Sequence, residues 1–566
     1  MKEQRVKGWW FIRFALTIVG KKGIGELKKA SKNALIAQEK ALRSFLADAK
    51  DTVYGKEHHF EDILKAGTPE ELFAKYREQV PINEYENLRP YIDRHKKGEA
   101  DVLFAGKPKM YATTSGTTKE PKWIPITERY YQEVYKVMNQ LWFYALIMNK
   151  PKAFYGKTLS IVGKAIEGAA EDGTVYGSIS GISQRDIPKF MEVLHPAPAD
   201  IFHIADYKAR YYTIMRMGIE QDITLIITAN PSTLIEMQNN ANEFYDEYLQ
   251  DIEKGTLSSR FAIPDEIRAV LEKRIKPNPG RAAELRALKR QYGVVLPKHY
   301  WPHMQVVNVW FCGNTKIFFE KIKNSFPETC VFHEMGYFAT ECRPGIVLKS
   351  NSPDTVIFGH KVFFEFIHEL ELESENPRVY RMDEVKKGER YCMIVTTSAG
   401  LYRYNMNDLV EITGFLNEFP TLKMIQKVNG TVNIAGEKLH ERQFVEAVHA
   451  AEKETGSRVA FFIGFADTSK SVYKFYYEFV NADITQKKAE DFTRVLDRYL
   501  KQYNIEYESK RSSNRLKPPE TALLVNESFE KFKANCIDMG YRDGQFKVNL
   551  LMQDEKRHAM FRKLVQ

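Results

Sequence analysis

Residues 109–126 read KMYATTSGTTKEPKWIPI. Lys109–Ala112 is a short strand-like run. It feeds a loop of small hydroxyl residues around one glycine, Thr113, Thr114, Ser115, Gly116, Thr117 and Thr118, with Lys119 and Lys122 close behind. Such a loop leaves backbone N–H groups free to face phosphate oxygens, while its hydroxyls add donors and its lysines add charge. Taken alone, the same letters also fit a Ser/Thr turn at a strand end. The loop is not the GxxxxGK[ST] phosphate loop. Gly156-Lys157-Thr158 has the tail of that motif, but Pro151 stands where its first glycine belongs.

Working outward, WIPIT is followed by an amphipathic stretch that predicts a helix over 128–147. Further on come short β-branched runs at 158–162, 223–228, 306–311, 356–367 and 391–397, several of them separated by helical patterns. Strands alternating with helices predict a layered α/β core. Upstream, 33–49 has apolar residues at helical spacing. Downstream of Lys427 the character changes: 459–465 and 472–479 pair as a hairpin pattern, and 487–503 reads as an amphipathic helix. The expectation is an α/β protein with a large N-terminal domain, 1–426, and a small, mobile α+β C-terminal domain, 427–566. The KVNG turn at 427–430 supplies hinge residues.

Composition narrows the function classes. The 566 residues carry a net charge of +9 with 28% charged side chains. Lys and Arg are interleaved with Asp and Glu and form no run of five or six, so the charge suits anionic small molecules rather than a nucleic-acid stripe. The five cysteines include no CxxC, which speaks for reduced thiols in a cytoplasm rather than a zinc site or a disulfide framework. Residues 9–19, WWFIRFALTIV, are too short to span a bilayer and are interrupted by Arg13. They predict a docked helix, with a helix lying on a membrane surface as the lesser reading and no stable membrane insertion.

Two more constellations carry chemistry. GYFATE, 336–341, places an aromatic, a hydroxyl and a carboxylate where a purine, a phosphate and Mg²⁺ would need them; a structural turn is the plainer reading. GLYRYNMNDLV, 400–410, sets Asp408 before a β-branched run, where it would accept two ribose hydroxyls or simply end a turn. Other patterns fail. His333-Glu334 lacks the second histidine of a zinc helix, and SISGIS, 178–183, has no serine at the centre of a GxSxG elbow.

In this order the three segments resemble the adenylate-forming superfamily, and more fully the auxin-responsive promoter family of acyl acid–amido synthetases. Similar segments run almost end to end: Gln38 to His59, Trp301-Pro302, Asn433 to Leu439 (NIAGEKL) and Gly540 to Lys547 (GYRDGQFK). The resemblance implies that Ser115, Gly116, Thr117 and Thr118 hold the triphosphate. It implies that Gly313 and Asn314 line the adenine pocket and that Tyr337 stacks on the base. Thr340 would contact the α-phosphate, Glu341 would bind Mg²⁺, and Asp408 would hold the ribose. Lys547 would stabilise charge during adenylation. Two positions depart from the family pattern: Lys427 stands where an arginine is usual, and Lys119 where a glycine often follows the second threonine.

The function so implied is ATP-dependent. A carboxylic acid becomes its acyl-adenylate with release of pyrophosphate, and the acyl group then passes to the amine of an amino acid. ATP and Mg²⁺ are the implied cofactors, with small carboxylic and amino acids as partners. An acyl-CoA ligase sharing the adenylation step and a catalytically inactive ligand-binding homologue are the alternatives. The identity of the acid, the oligomeric state and the residues lining the acyl pocket are not assigned by the sequence.

Overall fold

A computed structural model describes residues 3–113, 122–312, 315–372, 374–428, 431–435, 437–481, 483–512, 516–538, 548–553 and 555–566. The chain opens with a helix, Trp9–Ala30, that buries Ile12, Leu16 and Leu27. Each such apolar side chain contributes about 1.5–3 kcal/mol relative to exposure. The helix runs well beyond the expected end at Val19, straight through GKKG. The glycines there serve close packing: a Cβ on Gly20 would fall 2.2 Å from Tyr144 Cβ, and one on Gly23 would fall 2.7 Å from Leu141 Cδ2. The next helix, Ala34–Ala49, starts where expected because the Asn33 side chain accepts from Ile36 N.

Three sheets organise the first unit, which comprises Met1–Met406 and Val410–Lys423. One is mixed, in the order Trp123–Ile126, Met110–Thr113, Val175–Gly177, Gly168–Ala169, and the first pair is antiparallel with Thr113 opposite Trp123. A second is parallel throughout, in the order Lys157–Ile161, Ile223–Thr228, Val306–Asn308, Val331–His333. Parallel strands need both faces covered, and every residue of Ile223–Thr228 is buried. Around it lie Tyr212, Tyr248, Leu249, Leu271 and Trp301, with the Trp301 indole donating to Gly218 O at 3.1 Å.

The third sheet has seven strands: Val379–Arg381, Phe363–His368, Arg390–Thr396, Tyr404–Leu416, Phe419–Lys427, Thr355–Ile357, Gly345–Val347. The apolar run 356–367 is two strands rather than one. The turn between them is fastened from outside the sheet: Gln38 donates to Val362 O at 2.8 Å and accepts from Phe364 N at 2.7 Å.

The second unit comprises Asn407–Leu409 and Met424–Gln566. Its sheet runs Glu520–Leu523, Val472–Phe479, Val459–Asp467, Leu551–Met552, with an antiparallel central hairpin and parallel outer pairs. Helices Glu441–Thr455 and Gln486–Tyr503 present buried apolar faces, among them Phe444, Val448, Phe492 and Leu496. The architecture is therefore the expected α/β body with a smaller α+β unit at its C-terminal side of the sequence.

Candidate functional site

In open α/β sheets, ligands bind beyond the carboxyl ends of the parallel strands. Here those ends carry polar side chains that the core does not require. Asn308 and His333 face each other in register, both buried, and Asn308 donates to His333 O at 2.8 Å. The His333 ring meets Ser350 Oγ at 3.0 Å, and burial pulls its pKa down to about 4, so the imidazole is neutral at pH 7.

The expected strand 306–311 ends at Asn308. Beyond it, Phe311 N leaves the ladder and donates to Glu334 Oε2 at 2.8 Å. Glu334 is 4% exposed, and burial pushes its carboxyl up to about 7 against the lowering effect of its hydrogen bonds. It thus ties the segment that leads to Gly313 and Asn314 to the start of GYFATE. Sequence reasoning missed Glu334. Its only sequence signal is a carboxylate beside a histidine at a strand end, a pair that reads there only as an incomplete metal motif.

GYFATE itself is anchored rather than loose. Gly336 has φ 78°, the left-handed region that glycine enters without strain. The Trp310 indole donates to Gly336 O at 3.0 Å, and Tyr337 N donates to Thr355 Oγ1 at 3.1 Å. Tyr337 is buried, while Thr340 and Glu341 are half-buried at the surface of the segment. No hydrogen bond or ion pair among the described residues holds the Glu341 carboxylate. A single accessible carboxylate fits Mg²⁺, which takes one or two protein carboxylates and fills its remaining positions with water and phosphate oxygens. No cluster of three or more metal-ligating side chains occurs among the described residues.

Ser115, Gly116, Thr117, Thr118, Gly313, Asn314 and Lys547 lie outside the described residues. The antiparallel strands Met110–Thr113 and Trp123–Ile126 flank the first loop. The strand Leu551–Met552 follows Lys547 closely and pairs in parallel with Val459–Asp467.

In the second unit, Asp408 is 1% exposed and Lys427 places its ammonium 2.7 Å from Asp408 Oδ1. Asp408 lies within the strand Tyr404–Leu416 and Lys427 is the last residue of the neighbouring strand Phe419–Lys427, and Val428 N donates to Asn407 O at 2.8 Å. Asn407 takes φ 51°, an uncommon conformation for a residue with a side chain. In NIAGEKL, Glu437 is buried and accepts from Ile434 N at 2.8 Å, from Ala435 N at 2.7 Å and from the Tyr473 hydroxyl. That motif is held by its own carboxylate.

Models of three successive domains of one family match the chain: the GH3 family N-terminal domain over residues 23–331, the central domain over 355–427 and the C-terminal domain over 442–556. Indole-3-acetic acid-amido synthetase GH3.3 of Arabidopsis thaliana is 24% identical, with 93% of this chain and 91% of that protein covered. Jasmonoyl–L-amino acid synthetase JAR4 of Nicotiana attenuata is 23% identical over 93% and 92% of the two chains. Among solved structures, GH3.15 acyl acid amido synthetase superposes with a TM-score of 0.83 at 20% identity, covering 96% of each chain. A 2-hydroxyisobutyryl-CoA ligase in its postadenylation state gives 0.52 at 10% identity, over 94% and 92%.

Proposed function

The chain belongs to the GH3 family, and from that premise we propose that it is an ATP-dependent acyl acid–amido synthetase. It activates a small carboxylic acid as its acyl-adenylate and transfers the acyl group to the amine of an amino acid. The observation that carries this reading is the match of all three family domains in order, with curated amido synthetases covered over about nine-tenths of their own length.

The chemistry explains the residue types. A carboxylate is a poor acyl donor because it is anionic and its oxygen leaves poorly. Attack of its oxygen on the α-phosphorus of ATP forms the mixed anhydride and expels pyrophosphate. AMP then leaves readily when a neutral amine attacks the acyl carbon. We assign the triphosphate to Ser115, Gly116, Thr117 and Thr118, the adenine to Gly313, Asn314 and Tyr337, the α-phosphate to Thr340, and the ribose to Asp408 beside Lys427. Lys547 supplies positive charge as the carboxylate attacks. Glu341 would hold Mg²⁺, which when bound neutralises phosphate charge. Glu334, kept largely protonated up to about neutral pH by burial, fixes the strand-end segment against GYFATE without adding a second negative charge there.

The test is ATP–pyrophosphate exchange across a carboxylic-acid panel, followed by product analysis with each amino acid and, separately, with coenzyme A. Amide formed only with amino acids supports the reading. Thioester formed with coenzyme A and no amide would replace it with an acyl-CoA ligase. Exchange with no acid at all would remove the enzymatic reading.

A further inference from the structure

A guanidinium is buried close to GYFATE, and no carboxylate among the described residues balances it. Arg343 is 5% exposed, and the only ionisable groups near enough to bias it among the described residues are the phenols of Tyr135 and Tyr130. One nitrogen, Nη1, bonds to Asn139 Oδ1, while Nε is shielded from solvent and has no hydrogen-bond partner among the described residues. Two neighbouring donors share that condition: the Tyr135 hydroxyl and the Trp142 indole N–H are both buried and, among the described residues, unpaired. Buried donors are rarely left unmet in a folded protein, and a buried unpaired charge is costlier still.

These groups form one constellation. Tyr135, Asn139 and Trp142 are spaced i, i+4, i+7 along the helical segment that follows WIPIT, and a π-helical turn at Tyr131–Lys136 sets their phase. Turns of that kind concentrate at functional sites. The guanidinium lies 5.1 Å from the Phe338 ring and 5.9 Å from the Trp142 ring. The aromatic faces offset part of its burial cost, but they accept none of the three free N–H and O–H groups.

We infer that Arg343, Tyr135 and Trp142 form the distal end of the acyl-acid site, and that the acid carries a second carboxylate there, remote from the one that is adenylated. The inference rests on the amido-synthetase reading, which puts the reacting carboxylate at Thr340 and Glu341. Arg343 follows these on the same turned segment, where Ala339 N donates to Cys342 O at 3.1 Å. The guanidinium against the Trp142 and Phe338 rings presents a cation, and the Tyr135 hydroxyl and Trp142 indole N–H add two neutral donors beside it. A planar guanidinium suits a carboxylate in particular.

The test compares matched pairs in ATP–pyrophosphate exchange: adipate against hexanoate, and benzene-1,3-dicarboxylate against benzoate. The wild-type protein should favour the diacid of at least one pair by about tenfold or more in kcat/KM, the range of one charge-assisted hydrogen bond. Arg343→Gln should bring that ratio close to one. Tyr135→Phe and Trp142→Phe each delete one donor and preserve the ring, so they carry the test if Arg343→Gln fails to fold. Both should lower the diacid-to-monoacid ratio. A second readout needs no ATP: the diacid should raise Tm, and Tyr135→Phe should lose most of that rise. Exchange with monoacids equal to that with diacids, and unaffected by these variants, would overturn the inference and leave the amido-synthetase reading standing. An effect of Arg343→Gln confined to the amino-acid transfer step would also overturn it, by giving Arg343 to the acceptor. Exchange with no acid would sink the enzymatic reading, and the Tm measurement would then still decide whether Arg343 binds a dicarboxylate.

Discussion

Lys427 Nζ lies 2.7 Å from Asp408 Oδ1, and the two side chains differ sharply in exposure, 46% for the lysine and 2% for the aspartate. The usual arginine would have brought a rigid fork to this place; lysine brings a point charge. The pair makes Lys427 a group that aims a nearly buried carboxylate. On the proposed ribose role of Asp408, Asp408→Ala should lower adenylation about 100-fold or more, through loss of an acceptor for the two ribose hydroxyls. Lys427→Ala should raise KM for ATP about tenfold with a smaller change in kcat, since the lysine acts through the aspartate. Measured together with the double variant, the effects should be non-additive by about 1 kcal/mol or more. Strict additivity would mean that the ion pair does not serve nucleotide binding.

Lys547 is assigned to the first half-reaction alone. Lys547→Ala should therefore cut acid-dependent pyrophosphate release about 100- to 1000-fold, the scale of one preorganised charge at a transition state. The same variant, given a synthetic acyl-adenylate and an amino acid, should form amide at close to the wild-type rate. Circular dichroism and Tm should be unchanged. A loss in both half-reactions would remove the assignment.

The legible parts of this protein were those that a short stretch of chain specifies by itself. The helix Ala34–Ala49 begins at its own Asn33 cap, and the hairpin Val459–Asp467 with Val472–Phe479 alternates as such hairpins do. What stayed hidden depends on distant partners. Gly20 and Gly23 look like helix breakers until Tyr144 and Leu141 pack against them. The apolar run 356–367 looks continuous until Gln38, more than three hundred residues away in sequence, clasps its turn. At the candidate site, Asp408 was marked by motif. Glu334 and Arg343 were not, because their significance lies in burial and in which neighbours fail to pair with them.

Glu334 sets a pH dependence of stability. Its carboxyl has a folded pKa of about 7 against an ordinary 4.5. The folded state thus holds this proton more tightly than the unfolded chain does. Its contribution is complete below about pH 4.5 and is lost as pH rises through about 7, with a total of about 3 kcal/mol. Glu334→Gln keeps an oxygen for Phe311 N and cannot ionise. Chemical-denaturation midpoints should fall for the wild-type protein between about pH 5 and 7.5, and the variant should fall less. Parallel curves would show that Glu334 titrates normally.

The Tyr337–Glu341 segment depends on Gly336 for its path. A Cβ at this position would stand 2.9 Å from Thr355 Oγ1 and 3.0 Å from Val347 Cγ2, on a backbone with φ 78°. Thr355 Oγ1 is also the acceptor for Tyr337 N, so relieving the clash moves the group that fixes the segment. Gly336→Ala should cost about 1–3 kcal/mol in stability, from left-handed strain and overpacking together. Adenylation should suffer more than folding, by about 10- to 100-fold in kcat/KM, because displacements near 1 Å at a reacting centre cost that much. Gly456 separates strain from displacement. It also has a positive φ, 68°, but nothing lies within 4 Å of its would-be Cβ. Gly456→Ala should cost about 1 kcal/mol and leave adenylation unchanged. Equal activity in the two variants would mean that Thr355 and Gly336 do not govern where Thr340 and Glu341 stand.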